Sequence, residues 1–422
     1  MTPHRLPGAA ALLTTICIAG CVSPSAPPDD SGDRSATGAG AAQPALATPT
    51  TAAPTSAAGP VSSLLSVREG WEARAWLDQG TVGVWTVQCL DVVPDYAGPE
   101  VVAVDDKGRL HILFTYSGRM YSWQVVEDRE WLGGVWLADV DPAIPGPELY
   151  TGGRRGNLYQ IVWKPWAAFS VVSPCHVNGE LNNVVAADFE PSRPGLELIG
   201  FLHPRGIVRF RPENQFAPEE VNADAIRLRD AAVFRDGDRD SAMVASRDGT
   251  LGVLRAGNDG KYAIDVIARR SNGFGRVTKS PWTENGFPVF FAGCDDGAVL
   301  RVSRDASGRF VARDIWVGTR GVRGVAADVF GADPAQETVA VFGYGREIVM
   351  LERTQGGTFG ATTVFTDREK GHWLCAGELD DRNSTRELVA CGFGGRVVVL
   401  SRTPGFGVAT PVSPAAPAEK DP

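Results

Sequence analysis

Beyond the first twenty residues the chain has four histidines, His111, His176, His203 and His372, and none stands at a zinc-ligand spacing such as H-E-x-x-H. There is no G-x-S-x-G elbow and no Walker-type phosphate loop. The pair His372–Trp373 holds more promise. The same place in a repeated unit, described below, holds Asn182–Asn183, Arg227, Arg276 (one residue out of step) and Arg323. Gathered round one opening, Asn183, Arg227, Arg276, Arg323, His372 and Trp373 would make a cationic, aromatic-edged ligand site. Guanidinium forks match a carboxylate or sulfate, and an indole face stacks on a sugar ring. The competing reading pairs these arginines with neighbouring acids and uses Trp373 to cover the core edge. His372 is the one candidate catalytic group, and a weak one. A lyase needs a base of suitable pKa beside a cation that stabilises an enolate.

Cysteine chemistry is thinner. After Cys21 come Cys89, Cys175, Cys294, Cys375 and Cys391, an odd number, so in an oxidising compartment at least one thiol stays unpaired. Cys375 and Cys391 lie symmetrically about a loop centred near Asn383, a spacing that would let them face each other as a disulfide. Buried packing cysteines are the commoner outcome. No C-x-x-C spacing points to a metal or redox centre.

The elements that must position these residues are announced by repetition. A glycine recurs at Gly108, Gly156, Gly206, Gly249, Gly297, Gly345 and Gly395, with gaps of 43 to 50 residues. Eight residues earlier stand Glu100, Glu148, Glu337 and Glu387; Glu197 precedes its glycine by nine, and Ser241 and Val289 replace the acid in two units. An independent aromatic column, Trp71, Tyr121, Phe169, Phe216, Tyr262, Phe310 and Phe359, opens short alternating runs that read as half-buried strands. Each unit parses into four strands with a glycine hairpin where positive φ is needed. Four-stranded units at this period predict an all-β, seven-bladed propeller. The phase predicts its closure. The chain opens with an orphan fourth strand, Trp71 to Leu77, and ends after a third strand, Arg396 to Ser401, so the front of the chain would complete the last blade.

The loop-and-strand core of these units resembles FG-GAP and VCBS-type propeller repeats. The residues that carry the likeness run from Asp139 and Asp141 to Glu148, from Asp188 and Glu190 to Glu197, and from Glu378 and Asp380 to Glu387. The resemblance implies loops that in some members bind calcium through D-x-D-x-D-G-x-x-D. Only Asp236, Asp238 and Asp240 come near that pattern, at the wrong spacing. A further acid column, Asp91, Asp139, Asp188, Asp328 and Glu378, lies nine residues before the Glu column. Calcium needs roughly six to eight converging oxygens, and proline and glycine dominate these loops. The favoured expectation is therefore that the acids accept backbone N–H bonds and fix their turns. No cofactor is expected, with calcium the minor alternative.

Met1 to Gly20 reads as an export signal, and Ile18-Ala19-Gly20-Cys21 resembles a bacterial lipobox, which implies acylation of Cys21. Val22 follows, which in a two-membrane cell implies the outer membrane. Residues 21–62 read as a disordered Ala/Pro/Ser/Thr tether, 63–403 as the propeller and 404–422 as a disordered tail. With 41 Lys+Arg against 50 Asp+Glu in 422 residues, the net charge of −9 argues against nucleic acid as a partner. The expectation is an exported, lipid-anchored envelope protein presenting its propeller to a glycan, an anionic small ligand or an envelope protein, without catalysis. The alternatives are a polysaccharide lyase and a scaffold subunit of an envelope complex.

Overall fold

Seven antiparallel sheets stand round one axis in the computed structural model, which describes residues 55–56, 66–96, 98–116, 119–165, 168–190, 193, 195–379 and 385–402. The signal segment, Cys21, the tether apart from 55–56, and the 404–422 tail lie outside the described residues. Blade 1 comprises Val84–Leu90, Glu100–Asp105, Arg109–Tyr116 and Arg119–Glu127. Blade 2 comprises Leu132–Ala138, Glu148–Gly153, Asn157–Lys164 and Ala168–His176. Blade 3 has Glu180–Ala187, Glu197–His203, Arg205–Phe210 and Glu219–Ile226, and blade 4 has Leu228–Asp236, Arg239–Ser246, Thr250–Ala256 and Tyr262–Arg269. Blade 5 has Phe274–Glu284, Phe287–Cys294, Ala298–Arg304 and Phe310–Val317; blade 6 has Val322–Ala327, Thr338–Gly343, Glu347–Arg353 and Phe359–Thr366. Blade 7 is composite. Gly371–Gly377, Glu387–Gly392 and Arg396–Ser401 are joined on the outside by Glu72–Asp78, with Leu77 opposite Val397.

The first strands of consecutive blades pack side by side round the axis, blade 7 against blade 1 included. Seven apolar clusters fill the seams, each drawing residues from two neighbouring blades. Second strands such as Glu100–Asp105, Glu148–Gly153 and Thr338–Gly343 are buried at every position, because both faces meet another blade. That explains why they read as unbroken apolar runs rather than alternating ones. Each fully buried Val or Leu there contributes about 1.5–3 kcal/mol. Outer strands such as Tyr262–Arg269 keep exposed positions, which is where alternation was visible.

Three repeat columns behave differently from expectation. The hairpin glycine adopts positive φ in six units, but in blade 6 the left-handed position falls on Arg346 (φ 66°), one residue after Gly345. The turn-fixing role expected of the Asp91/Asp139/Asp188 column belongs chiefly to the Glu column. Glu100 Oε2 accepts N–H bonds from Val92 and Val93 (2.8 and 3.0 Å), Glu148 from Val140 (3.0 Å), Glu197 from Phe189 and Glu190 (2.9 and 3.2 Å), and Glu387 from Leu379 (2.8 Å). The eight-residue reach places the carboxylate on the far side of the loop, where amides would otherwise be buried without partners. Phe216 does not open a strand. It is buried after a short 3-10 turn at Pro212–Asn214, three residues before the fourth strand of blade 3.

Two short additions lie on the outer edges. Thr55–Ser56, inside the stretch read as tether, pairs with Tyr121 and Ser122 of blade 1, and Ser66–Val67 pairs with Phe365 and Thr366 of blade 6.

Candidate functional site

Near the start of every first strand the ladder slips. In blade 1 the register skips Trp85, in blade 2 Gly133 and Gly134, in blade 3 Asn182, in blade 4 Arg229, in blade 5 Gly275 and Arg276, in blade 6 Arg323, and in blade 7 His372. A bulged residue has no cross-strand partner and its side chain is re-aimed. Every one of these residues lines a single cavity at the axis, of about 130 Å³. Thr86, Trp131, Leu132, Arg227 and Arg247 complete its wall.

The wall is chemically lopsided. Blades 4 to 6 supply Arg227, Arg229, Arg247, Arg276 and Arg323, whereas blades 1 and 2 supply Trp85, Trp131, Leu132 and two glycines. One carboxylate, Asp295, bridges two of the arginines: Oδ2 lies 2.9 Å from Arg229 Nη1 and Oδ1 lies 3.1 Å from Arg323 Nη1. Arg229 also donates to the Phe274 carbonyl (2.7 Å). Arg276 donates to the Arg229 carbonyl (3.0 Å), and its guanidinium carbon lies 3.6 Å from the centroid of the Trp373 ring. Beneath it, buried Asp230 accepts from the Val277 amide (3.0 Å).

Crowding leaves its mark on titration. Burial pushes Arg276 down to about 9, with Asp230 opposing and Arg323 and Arg229 adding to the fall. Burial and Arg323 push Arg229 down to about 10. Both stay cationic at neutral pH. Asp230 is pushed up to about 6 by burial, with Arg276 opposing. His372 is held well below its usual range by burial and by Arg276 and Arg323. Its Nδ1 donates to the Trp85 carbonyl (2.5 Å), so the neutral ring keeps Nε2 as an acceptor. The ring stands edge-on to Trp85, centroids 4.6 Å apart. Four buried donors in this wall, Trp85 Nε1, Arg229 Nη2, Arg276 Nε and Arg323 Nε, have no partner within the protein.

The sequence-derived site is thus partly assembled. Arg227, Arg276, Arg323 and His372 share the cavity. Asn183 and Trp373 stand one position inside it. Asn183 pairs with Phe201 in the ladder and donates to the Arg229 carbonyl (3.1 Å), and Trp373 is buried in the seam under Arg276. Trp85, Arg229, Arg247, Trp131 and, as the lining residue of its pair, Asn182 were missed. A signal existed: counting six residues back from Asp91, Asp139, Asp188 and Glu378 reaches Trp85, Gly133, Asn182 and His372, and five back from Asp328 reaches Arg323.

The calcium candidates do not converge. Asp236 is held by Arg255 and Arg304 (2.9 and 2.7 Å), Asp240 by Arg235 and the Asp188 amide, and Asp238 is exposed. Among the described residues no group of three His, Cys, Asp or Glu side chains is arranged to hold a metal ion. The Cys375–Cys391 pairing is also corrected. Cys391 faces Trp373 and Cys375 faces Val389, so the hairpin turns one position earlier than the spacing implied and leaves the cysteines diagonal. All five described cysteines are free.

No protein-family model matches the chain, and no curated protein matches it. Among solved structures, the WD40 beta propeller domain of Doa1 is similar in fold, with a TM-score of 0.53 and 12% identity over 82% of this chain and 99% of that one. At that identity the likeness concerns architecture alone, and it arises without any Trp-Asp repeat ending in this sequence.

Proposed function

We propose that this propeller is a binding protein for a small acidic ligand, held at the bacterial cell envelope by acylated Cys21 and the tether that follows. The fold itself suits binding or scaffolding. The observation that carries the ligand reading is the arc of arginines from blades 4 to 6 that lines the cavity, of which Asp295 bridges only two. A core would not gather like charges in this way without a counter-ion, because each loses solvation and repels its neighbours. An incoming carboxylate or sulfate would meet unpartnered guanidinium N–H groups, the arrangement that gives charge-assisted hydrogen bonds their strength.

The opposite wall describes the rest of the ligand. Trp85 and Trp131 offer apolar faces, and neutral His372 Nε2 needs a hydroxyl or amide donor. A cavity of about 130 Å³ is close to the size that holds one six-membered ring. An acidic monosaccharide, or the acidic end of a longer glycan, meets all three requirements. His372 in this reading is a hydrogen-bond acceptor and orienter rather than a general base.

The test is calorimetric titration of the whole chain with glucuronate, inorganic sulfate and glucose. Glucuronate should bind, glucose should not, and Arg323→Gln should weaken binding roughly ten-fold, the worth of about one charge-assisted hydrogen bond. If neither anion binds, or glucose binds as well as glucuronate, the acidic-ligand reading falls and a protein-facing scaffold takes its place.

A further inference from the structure

We propose that Cys89 and Cys375 form a cross-link site that covalently joins the first and last blades. The two sulfurs lie 3.5 Å apart although the residues are 286 positions apart in the chain. Cys89 is on the first strand of blade 1 and Cys375 on the first strand of blade 7, and both pack against the cluster that fills this seam. A disulfide needs about 2.05 Å between sulfurs, so closure asks for a movement of roughly 1.5 Å, within reach of side-chain rotation and a small shift of the strands. The neighbourhood is cut to fit the thiols. A Cβ at Gly377 would lie 2.6 and 2.7 Å from Cys89 Cβ and Sγ, so a larger residue there would push Cys89 out of place. The other seams hold no such pair among the described residues; Cys294, for example, directs its thiol to the Gly273 carbonyl (3.4 Å).

The chemistry is thiol–disulfide exchange with an external disulfide oxidant. Half-exposed Cys89, as thiolate, attacks one oxidant sulfur, forming a mixed disulfide and expelling the other oxidant sulfur as thiolate. Cys375 then gives its proton to that thiolate and attacks Cys89 Sγ, expelling the second oxidant sulfur, which takes up the proton Cys89 lost. Two protein thiols become one disulfide, and two electrons pass to the oxidant, whose two sulfurs leave as thiols. Burial pushes the Cys375 thiol well up, which suits it to the second, intramolecular step.

The location gives the bond its meaning. Six seams join blades that are consecutive in the chain, while the seam between blades 7 and 1 is where its two ends meet. The same two strands carry Trp85 and His372, whose hydrogen bond crosses that seam at the cavity. Oxidation would therefore close the ring covalently and pin one side of the ligand site, independently of what the ligand is.

The experiment uses the whole chain incubated with oxidised glutathione or with a reductant, then mapped by proteolysis and mass spectrometry. A linked peptide pair containing Cys89 and Cys375, lighter by two hydrogen atoms, should accumulate in the oxidised sample alone. Two titratable thiols should disappear and the melting midpoint should rise. In Cys89→Ser and Cys375→Ser that redox-dependent rise should vanish. Retention of both thiols after oxidation, or a dominant link through any other cysteine, would overturn the proposal. Peptide mapping of the unmutated protein decides this even if a variant fails to fold.

Discussion

Asp295→Asn offers the sharpest test of how the cavity works, because it moves stability and affinity in opposite directions. Asp295 bridges Arg229 and Arg323 at 2.9 and 3.1 Å, and Arg229 is 5% exposed. Breaking a buried ion pair from one side costs about 3–5 kcal/mol. Asp295 itself is 23% exposed and asparagine keeps one acceptor, so the loss here should be about 2–3 kcal/mol. For a domain of this size that lowers the melting midpoint by about 3–4 °C. Ligand binding should respond the other way. Removing a negative charge about 7 Å from a bound anion, at an effective dielectric of roughly 40, gains about 1 kcal/mol, or a five- to ten-fold tighter complex. Calorimetric titration with glucuronate, paired with thermal melts with and without it, reads both effects. At a hundred times its dissociation constant the ligand should return about 2.7 kcal/mol, bringing the variant close to the ligand-free parent protein. Raising the salt should shrink the affinity gain. If Asp295→Asn bound glucuronate more weakly than the parent, or its melting deficit widened in the ligand's presence, the carboxylate would be positioning the arginines rather than competing with the anion, and the reasoning would be refuted.

Three further outcomes are expected. Burial pushes Glu100 and Glu197 up to about 7, above the unfolded value of 4.5, so the folded state takes up protons first. The stability from these groups is full below about pH 4.5 and lost as pH rises through about 7; Glu100→Gln, which keeps the acceptor without the charge, should flatten the denaturant midpoint measured between pH 5 and 8. Gly133→Ala would set a Cβ 2.1 Å from the Asn182 carbonyl oxygen, backbone that cannot yield alone, so blades 2 and 3 must separate at a cost of about 3 kcal/mol in urea unfolding; an unchanged midpoint would contradict the close approach. Cys21→Ala should move the protein from the membrane fraction to the soluble fraction on cell fractionation, and its continued sedimentation with membranes would rule out the lipid anchor.

Much of the architecture was legible because a propeller repeats its punctuation. The Gly and aromatic columns report hairpin turns and strand starts, which recur at a near-fixed spacing whatever fills the faces. The strand ending at Asp78 closes the ring, consistent with the missing fourth strand of the last unit. The site was harder to see, and the reason is local. Each bulge inserts one extra residue into its first strand, so of the pairs Asn182–Asn183 and His372–Trp373 only the first member leaves the ladder for the cavity while the second rejoins it. Spacing alone does not reveal a bulge, because it changes pairing rather than length. The cysteines failed for a related reason. Cys375 finds Cys89 across a seam between blades, a contact between residues 286 apart that no hairpin symmetry encodes. The acid columns were read with the right physics on the wrong residues, since only the loop's folded path shows that Glu100 reaches back across it while Asp91 does not.

The seven slips in the ladder have a consequence beyond this ligand. A residue displaced from cross-strand pairing is chosen neither by the sheet's hydrogen bonds nor by the interlocking clusters between blades. Its identity is therefore largely free to vary without unfolding the ring, except at Gly133, Gly134 and Gly275, where the neighbouring blade leaves no room for a side chain. The rim behaves like a combination lock with replaceable wheels, one on every blade but the second, mounted on a frame that does not register which digit is showing. Randomising Trp85, Asn182, Arg229, Arg276, Arg323 and His372 together should return many folded proteins with new preferences, and a scaffold of this kind can change its vocabulary while keeping its grammar.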